Sequence, residues 1–339
     1  MIKLIVDCFG GDRSPLVNVE GAIKALNEID DLYLILAGYE DVIKTELEKY
    51  TYDKERVEIL NATEEITCDD KPTEAIRQKK ESSMVKALEL LHSDPSVKGL
   101  ITLGSTGAIL AGAVMKIGRI PGVKRPAFCP IMPTMNQGIV GICDSGANVD
   151  CEPLYLQQFA VMGSLYMQKA YGIESPRVAL LNIGIEEEKG DALTKETYQL
   201  LKNNTPSINF VGNMESRDVL SGNYDLIVSD GFAGNVLIKT TEGVALEMLK
   251  LLKKTMTKSF KNKIGALLLK KDIYGIKDFM DYNNYGGGVM LGTRKIIIKG
   301  HGSSKTQAVY NCVKQGYNME KNHLIEEISK AMEEMREAA

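Results

Sequence analysis

A chain of 339 residues, of which 44% are hydrophobic and 25% are charged, can bury a full core as one large α/β domain or as two lobes. Its formal net charge of -4 argues against a broadly basic, nucleic-acid-binding surface, so any cationic site must be local. No apolar run reaches the roughly 20 residues that a helix needs to cross a bilayer.

The first residues and the cysteines predict a cytoplasmic protein. The opening MIKLIVDCFGGD lacks a cationic stretch followed by a long apolar run, and Asp7 stands where an export signal is apolar. The six cysteines contain no C-x-x-C pair, and only three histidines accompany them, so we expect reduced thiols and no metal. Cys151 could be a nucleophile, but we favour an inert thiol at this position.

Apolar runs rich in β-branched residues alternate with helical patterns along the chain. Strands are predicted over 2–6, 32–36, 97–103, 178–183, 226–228 and 296–298, and helices over 15–28, 82–92, 107–116, 153–171, 233–252 and 305–315. Continuous apolarity indicates strands that are covered on both faces. The alternation predicts an α/β fold, with an open, largely parallel sheet and helices on both faces. We expect a single catalytic unit over 1–339, with two lobes sharing one sheet as an alternative, and a lysine-rich helical excursion at about 248–284.

Glycines and small polar residues follow several of the predicted strands. They occur at 7–12, 104–107, 182–190 and 229–235, and a fifth such turn contains His301 between Gly300 and Gly302. The carboxyl ends of parallel strands meet at one edge of a sheet, so these turns predict a ligand site. Gly104, Ser105, Thr106 and Gly107 combine backbone N–H groups at a helix start with two hydroxyls, a pattern that suits phosphate. No G-x-G-x-x-G follows the first strand and no P-loop motif is present, so no organic cofactor is expected.

Two lysines near the third turn are candidate phosphate ligands. Asp191 can cap the next helix, which places Lys195 in its first turn, and Lys189 lies just before it. A cation there opposes the helix dipole unless an anion binds. The alternative for both lysines is a solvated surface position, and His301 is likewise either structural or catalytic.

The motifs, taken in order from Met1 to about Lys314, resemble the phosphate acyltransferase family PlsX. The segments that carry the resemblance are 7–12 with Pro15, 71–75, 80–84, 104–108, 145–151, 182–190, 230–235, 285–287 and 301–304. Two departures are Ser105, where the family usually has Asn, and Gly288-Val289, where it usually has Ala-Pro. The resemblance implies transfer of a fatty acyl group from acyl carrier protein to inorganic phosphate, giving acyl phosphate for phospholipid synthesis. It also implies a fold similar to isocitrate and isopropylmalate dehydrogenases and to phosphotransacetylase, a homodimer, and peripheral membrane contact near the downstream glycerol-phosphate acyltransferase.

A thiol is a good leaving group, so positioning and electrostatic stabilisation should dominate such a transfer. We predict that phosphate is bound by Gly104, Ser105, Thr106, Gly107, Lys189 and Lys195. Asn182, Asn235 and His301 are predicted to stabilise the oxyanion or the leaving sulfur, and Asp230 to orient one of these groups. The alternatives are an oxidoreductase on the same dehydrogenase-like fold and a noncatalytic scaffold that binds acyl carrier protein and membranes.

The segment 248–271 combines lysines with leucines and contains no acidic residue. Its lysines are Lys250, Lys253, Lys254, Lys258, Lys261, Lys263, Lys270 and Lys271. Lysines beside apolar side chains suit an anionic membrane surface or an acidic carrier protein. We predict membrane contact, with carrier docking as a second role; the alternative is a solvated helical face.

Overall fold

The structure is a computed structural model that describes residues 1–205, 207–271, 275 and 285–337. Twelve strands follow one another along the described chain. They are β1 (Ile2–Asp7), β2 (Leu32–Gly38), β3 (Val57–Asn61), β4 (Val97–Thr102), β5 (Ala127–Cys129), β6 (Ile131–Pro133), β7 (Ile139–Cys143), β8 (Arg177–Asn182), β9 (Asn209–Glu215), β10 (Leu226–Val228), β11 (Gly288–Leu291) and β12 (Ile296–Lys299).

The α-helices lie between these strands and after the last one. They are α1 (Leu16–Glu28), α2 (Glu40–Leu47), α3 (Pro72–Gln78), α4 (Ser83–Ser93), α5 (Thr106–Gly112), α6 (Pro153–Tyr171), α7 (Ala192–Asn204), α8 (Gly231–Thr257), α9 (Phe260–Leu268), α10 (Thr306–Lys321) and α11 (Leu324–Glu337). Helix α5 continues into a π-helical turn over Ala113–Ile117.

The strands form two sheets. One has the order β3-β2-β1-β4-β12-β11-β5 and the other β6-β7-β10-β8-β9. Every pairing is parallel except those of β11 with β12 and with β5, and that of β6 with β7. The alternative of two lobes assumed one shared sheet, whereas the described strands form two sheets. Strand β5 of the first sheet and strand β6 of the second are separated only by Pro130. The description of the chain as a single unit stays a prediction.

The continuous apolar run of β1 reflects burial on both faces of the first sheet. Leu4 and Val6 pack into the core that includes side chains of α1 and α10, whereas Ile5 points to the opposite core, formed with α4 and α5. Successive side chains of a strand alternate between faces, so both positions must be apolar when helices cover both sides. The predicted α/β class with mostly parallel strands is confirmed.

Helix α6 connects the two sheets. It contacts β7 and β10 of the second sheet and β11 of the first. Its Gly163 lies so close to Leu226 that a Cβ atom there would be 2.6 Å from the leucine side chain. This close approach sets the distance between α6 and the second sheet.

The lysine-rich excursion comprises the end of α8 and all of α9. Helix α8 has no buried residue after Ile238, and α9 has none at all. Residues 272–274 and 276–284 of the predicted excursion lie outside the described residues. Within the part of the chain that the structure describes, no helix is both long and apolar enough to span a bilayer.

Two glycines of α8 provide a matched test of how the helix is seated. A Cβ atom at Gly234 would lie 2.0 Å from the carbonyl oxygen of Asp144, whereas a Cβ atom at Gly243 meets nothing within 4 Å. We expect Gly234→Ala to reduce the free energy of unfolding by about 1–3 kcal/mol through overpacking. Gly243→Ala should raise it by up to about 1 kcal/mol, because alanine favours the helix. Urea denaturation measures both, and equal effects of the two substitutions would contradict this seating of α8.

Candidate active site

The turns after β1, β4 and β12 meet at one edge of the first sheet. Gly10 lies against Gly104, so closely that a Cβ atom on Gly10 would be 2.4 Å from the Gly104 nitrogen. The backbone N–H of Asp12 donates to the carbonyl of Gly302 over 2.8 Å, and that of Gly300 donates to the carbonyl of Thr102 over 2.9 Å. These contacts bring the Gly104 turn and the His301 turn together at the sheet edge.

Asp7, at the start of the first glycine-rich turn, supports the Gly104 turn from the core of the protein. The buried carboxylate of Asp7 accepts a hydrogen bond from Thr102 Oγ1 at 2.7 Å, and this hydroxyl accepts one from the Gly104 N–H at 3.0 Å. Burial raises the pKa of Asp7, and its hydrogen bonds with Ser83 and Thr102 oppose that rise. Asp7 thus shapes the turn from within the core.

A buried carboxylate organises the turns of the second sheet. Asp144 follows β7 and accepts hydrogen bonds from the backbone N–H groups of Phe128, Ser145, Ala147 and Asn148 and from the Asn148 side chain, over 2.7–3.2 Å. Burial raises the pKa of Asp144, and these donors oppose the rise. The turn over 145–148 is therefore held rigidly beside the first sheet.

Helix α8 begins against this turn. Asp230 is its N-cap and accepts from the Ala233 N–H at 2.8 Å, while the Gly231 N–H donates to the Asn148 carbonyl at 2.7 Å. One turn later the Asn235 amide lies over Gly146, where a Cβ atom would be 2.8 Å from Asn235 Nδ2. The start of α8 is thus fixed relative to both sheets.

A cavity of about 310 Å³ lies between the two sets of turns. Thr106 of α5, the turn residues Ser145 and Gly146, and His301 line it together with Gly286, Gly287 and Gly288. Helix α8 contributes Asn235, Lys239 and Glu242, and β12 contributes Lys299. We call it the reaction cavity. It collects hydroxyl, amide, imidazole and ammonium groups from elements of both sheets.

Lys299 is the unusual cation of this cavity. The side chain is mostly buried at the end of β12, and the described residues place no carboxylate within 4 Å of its ammonium and no hydrogen-bond acceptor beside it. Burial lowers the pKa of Lys299, and the charge of Lys239 lowers it further. A mostly buried cation with no carboxylate within 4 Å is costly, so this position suits an anion-binding site.

His301 lies at the rim of the same cavity. Its Nδ1 accepts a hydrogen bond from the Ser303 N–H at 3.2 Å, which leaves the proton of the neutral ring on Nε2. Burial lowers the pKa of His301, and the neighbouring charge of Lys299 lowers it further. A neutral imidazole with a proton on Nε2 can donate a hydrogen bond to a developing oxyanion.

A second, larger cavity of about 1320 Å³ lies on the other side of α8. Its walls are mainly apolar, with Leu180, Leu181, Val219, Phe232, Val236 and Met248 among the lining residues. Asn182, Asp191, Thr194 and Asp230 are polar residues of the same lining. We call it the apolar cavity.

The predicted site residues are thus divided between the two cavities. Thr106, Asn235 and His301 line the reaction cavity, with Gly104, Ser105 and Gly107 in the same turn as Thr106; Ser105 caps α5. Asn182 and Asp230 line the apolar cavity. Lys189 and Lys195 are exposed and line neither cavity.

Asn182 closes its own turn. Its Nδ2 donates to the carbonyl of Lys189 at 3.1 Å, and its Oδ1 accepts from the Ile183 N–H at 2.8 Å. Gly190, at a φ of +96°, packs against this amide in a conformation that favours glycine. The expected cap of α7 by Asp191 is present, with the Thr194 N–H donating at 2.8 Å.

Cys151 has the environment of an inert thiol. It is half-buried, and its Sγ donates to the Asn148 carbonyl at 3.5 Å. Burial raises the pKa of Cys151 to about 12, with further contributions from Asp144 and Asp230. The thiolate needed for nucleophilic attack is therefore disfavoured. Among the described residues, no group of three or more His, Cys, Asp or Glu side chains is placed to hold a metal ion.

Sequence reasoning overlooked Lys299 and Lys239. Lys299 directly precedes the Gly300-His301 turn, so its position at a strand end was a usable signal. Lys239 lies four residues after Asn235 on α8 and hence on the same helix face. Its ion pair with Glu242, at 3.2 Å, marks it as part of a charged face rather than an isolated lysine.

Comparison with known proteins identifies the family of this chain. The family model described as fatty acid synthesis protein matches residues 2–327. Phosphate acyltransferase of Clostridioides difficile is 43% identical over 336 residues, which cover 99% of this chain and 98% of the relative. Phosphate acyltransferase of Clostridium tetani is 45% identical over 331 residues, 98% of each chain.

A solved structure supports the fold independently. A phosphotransacetylase from Streptococcus pyogenes superposes with a TM-score of 0.59 at 16% identity, over 96% of this chain and 94% of that one. The predicted likeness to phosphotransacetylase is confirmed, as are the predicted family and the prediction of an enzyme. The chain therefore belongs to the family of fatty acid synthesis proteins whose curated members include the phosphate acyltransferases.

Proposed function

We propose that this enzyme transfers a fatty acyl group from an acyl carrier protein thioester to inorganic phosphate and so supplies acyl phosphate for phospholipid synthesis. Family membership supports acyl transfer to phosphate over a dehydrogenase-like oxidoreductase or a noncatalytic scaffold. The observation that carries the proposal is the mostly buried ammonium of Lys299, without a counter-ion among the described residues, in a cavity with Thr106 and His301.

Phosphate binds in the reaction cavity in this proposal. Its negative charge compensates Lys299, next to the Lys239–Glu242 ion pair, and the Thr106 hydroxyl can donate to one of its oxygens. Phosphate binding by the Gly104 turn stays a prediction, which the place of Thr106 in the cavity lining and the start of α5 support. Lys189 and Lys195 stay predicted phosphate ligands from the sequence, and the kinetic test below separates them from Lys299.

The transfer then needs little acid–base chemistry. A phosphate oxygen attacks the thioester carbonyl carbon, the new C–O bond forms, and negative charge develops on the carbonyl oxygen. Collapse of this intermediate breaks the C–S bond, and the sulfur leaves as a thiolate. His301 through Nε2–H and Asn235 through Nδ2–H are the proposed donors to the oxyanion, since both line the reaction cavity.

The acyl chain has a matching place on the other side of α8. The apolar cavity offers about 1320 Å³ of mainly apolar space, which suits a long hydrocarbon chain. Asn182 and Asp230 line this cavity, so we propose that they position its turns and the start of α8. Their predicted contact with the reacting groups also stays a proposal.

The end of α8 and helix α9 support peripheral membrane contact. Phe260, Ile264, Leu267 and Leu268 recur at helical spacing on α9, and their side chains are 49–80% exposed. Lys258, Lys261 and Lys263 are exposed beside them. An apolar face bordered by lysines is the pattern of a helix that lies in the interface of an anionic membrane. We also propose that the enzyme forms a homodimer, that this segment contacts the carrier protein as a second role, and that the enzyme acts near the glycerol-phosphate acyltransferase.

We expect Lys299→Met to raise the KM for phosphate by about tenfold to a hundredfold, because a charge-assisted contact of about 1.5–3 kcal/mol is lost. Phosphate-dependent release of free carrier thiol from palmitoyl carrier protein, with detection of acyl phosphate, measures it. Lys189→Met and Lys195→Met are the matched variants. If Lys189 and Lys195 bind phosphate, as the sequence predicts, these variants should show the same rise in the KM for phosphate. If phosphate binds in the reaction cavity at Lys299, their KM values should stay near normal. No phosphate-dependent thiol release by the parent enzyme would refute the proposed function itself.

We expect phosphate to raise the pKa of His301. The free ring has a pKa below its ordinary value of 6.5, through burial and the charge of Lys299, and a bound anion stabilises the imidazolium. NMR titration of the histidine ring signals, assigned with His301→Gln, measures the shift. Potassium chloride at equal ionic strength is the control, and Lys299→Met should raise the pKa without phosphate and remove the phosphate response. A His301 titration that phosphate and chloride change alike would contradict this binding site.

We expect Lys258→Glu, Lys261→Glu and Lys263→Glu together to abolish co-sedimentation with anionic vesicles. Each lysine near such a surface contributes about 1 kcal/mol, so reversal of three weakens binding more than about a hundredfold. The control reverses Lys54, Lys314 and Lys330, which are exposed on other elements. Vesicle binding that survives the first triple variant, or that both variants lose equally, would rule out this segment as the specific membrane contact.

A further inference from the structure

A third cavity, of about 390 Å³, adjoins the reaction cavity. Leu110 of α5 lines both cavities. The turn after Asp144 also divides between them, since Ser145 and Gly146 face the reaction cavity and Ala147 and Asn148 face the third one. The two cavities are therefore neighbours that share Leu110 and the 145–148 turn in their linings.

The rim of the third cavity is cationic. Arg119 and Arg125 line it, and the exposed residues Lys124 and Arg294 are linked to Arg119 by hydrogen bonds. Arg119 Nη1 donates to the Lys124 carbonyl, and Arg294 Nε donates to the Arg119 carbonyl at 3.0 Å. We call Arg119, Lys124, Arg125 and Arg294 the arginine patch.

The charges of the arginine patch are not neutralised by the described part of the chain. None of the four side chains has a described carboxylate within 4 Å, whereas Lys116 on the adjoining π-helical turn is paired with Glu89 at 2.7 Å. In a chain of formal net charge -4, four neighbouring exposed cations without acidic partners form a locally positive surface. Such a surface attracts an anionic partner and orients its approach.

Apolar groups complete this surface. Val114 lines the third cavity and is 50% exposed, and the neighbouring Met115 is 44% exposed. The Arg125 guanidinium lies 5.9 Å from the centre of the Tyr155 ring, which limits its motion without supplying an acceptor. Exposed apolar side chains inside a cationic rim are the features of a protein docking site rather than of an ion site alone.

We infer that the arginine patch docks the acyl carrier protein and that the third cavity receives the phosphodiester of its prosthetic arm. This inference rests on the proposed function. The arm joins the thioester to the carrier through a phosphodiester, so its far end is anionic while its reacting end is neutral. With the phosphodiester at Arg119 and Arg125, the arm passes Leu110 and the 145–148 turn and delivers the thioester to the reaction cavity. The lysine-rich segment then keeps membrane contact as its main role, and carrier contact there is secondary.

The test compares three acyl donors in the phosphate-dependent reaction. They are palmitoyl carrier protein, palmitoyl phosphopantetheine, which keeps the phosphate but lacks the protein, and palmitoyl pantetheine, which lacks both. We expect Arg119→Gln with Arg125→Gln to raise the KM for palmitoyl carrier protein about tenfold, with a smaller rise for palmitoyl phosphopantetheine, from the lost charge-assisted contacts. The KM for palmitoyl pantetheine and kcat for all three donors should not change.

Two further variants keep the test decisive. Arg125→Gln alone removes a side chain whose described contact is the Tyr155 ring, so it should fold normally and still raise the KM for the carrier. Lys330→Gln with Arg336→Gln removes the same number of charges from the exposed face of α11. This control should leave the KM values for all three donors unchanged.

An unchanged KM for palmitoyl carrier protein in Arg125→Gln and in the double variant, with an active parent enzyme, overturns the inference while the proposed function stands. An equal rise for all three donors overturns it as well, because the substitutions then act on the reaction cavity and not on docking. Loss of anionic vesicle binding in the double variant, with carrier kinetics unchanged, would assign the patch to the membrane instead. An inactive parent enzyme refutes the proposed function rather than the docking site.

Discussion

The hydrogen bonds of the Asp144 carboxylate hold the parts of the site in place. This single buried group accepts from the Phe128 N–H in the first sheet and from the turn that leaves the second sheet. Hydrogen bonds to a charged acceptor contribute about 1.5–3 kcal/mol each, so the turn has little freedom to rearrange. The backbone carbonyl of Asp144 in turn accepts from Ser229 Oγ and lies against Gly234, which seats helix α8. The carboxylate of Asp144 therefore holds the 145–148 turn against the first sheet, and the backbone of the same residue holds the start of α8.

Helix α8 uses its periodicity to separate two chemical environments. Asn235, Lys239 and Glu242 recur at helical spacing and face the reaction cavity. Phe232, Val236 and Thr240 lie on a neighbouring face of the helix, at the same spacing, and line the apolar cavity. A helix repeats every 3.6 residues, so one segment can present a polar face and an apolar face at once. The same helix then extends beyond the body of the described chain towards α9, which links the site to the proposed membrane contact.

The reaction cavity has more cationic than acidic side chains in its lining, because Lys299 adds a positive charge to the Lys239–Glu242 ion pair. Lys299 and His301 both have lowered pKa values, mainly because burial disfavours their charged forms. Burial of these groups lowers the stability of the folded protein, and the phosphate proposed to bind here would offset that cost. In the proposed function, the protein's own cations supply the field that attracts phosphate to this cavity. The arginine patch extends the positive surface outward, towards the anionic end of the proposed donor.

Much of the fold could be predicted from the sequence because the signals are local. The uninterrupted apolar run of 2–6 indicated a strand covered on both faces, and Leu4 and Ile5 do pack into opposite cores. The glycine-rich turns followed strand ends, and the turns at 104–107 and 300–302 meet at one edge, as parallel topology requires. The family could also be predicted, because its motifs are short, can be read directly from the sequence and occur in order along the chain.

The way in which these pieces combine depends on contacts between distant parts of the chain. Asn182 and His301 look alike in the sequence, as polar residues after strands, yet they line different cavities because β8 and β12 belong to different sheets. Lys299 is significant only because the described chain folds no carboxylate against it, and Arg119 and Arg294 form one patch only because a bridge joins Arg119 to Thr293. Such properties depend on contacts between residues far apart in the chain. A local pattern of hydrophobicity or turn residues carries no information about them. The sequence therefore predicted the family, six of the twelve described strands and six helices, whereas the composition of the site follows from tertiary packing.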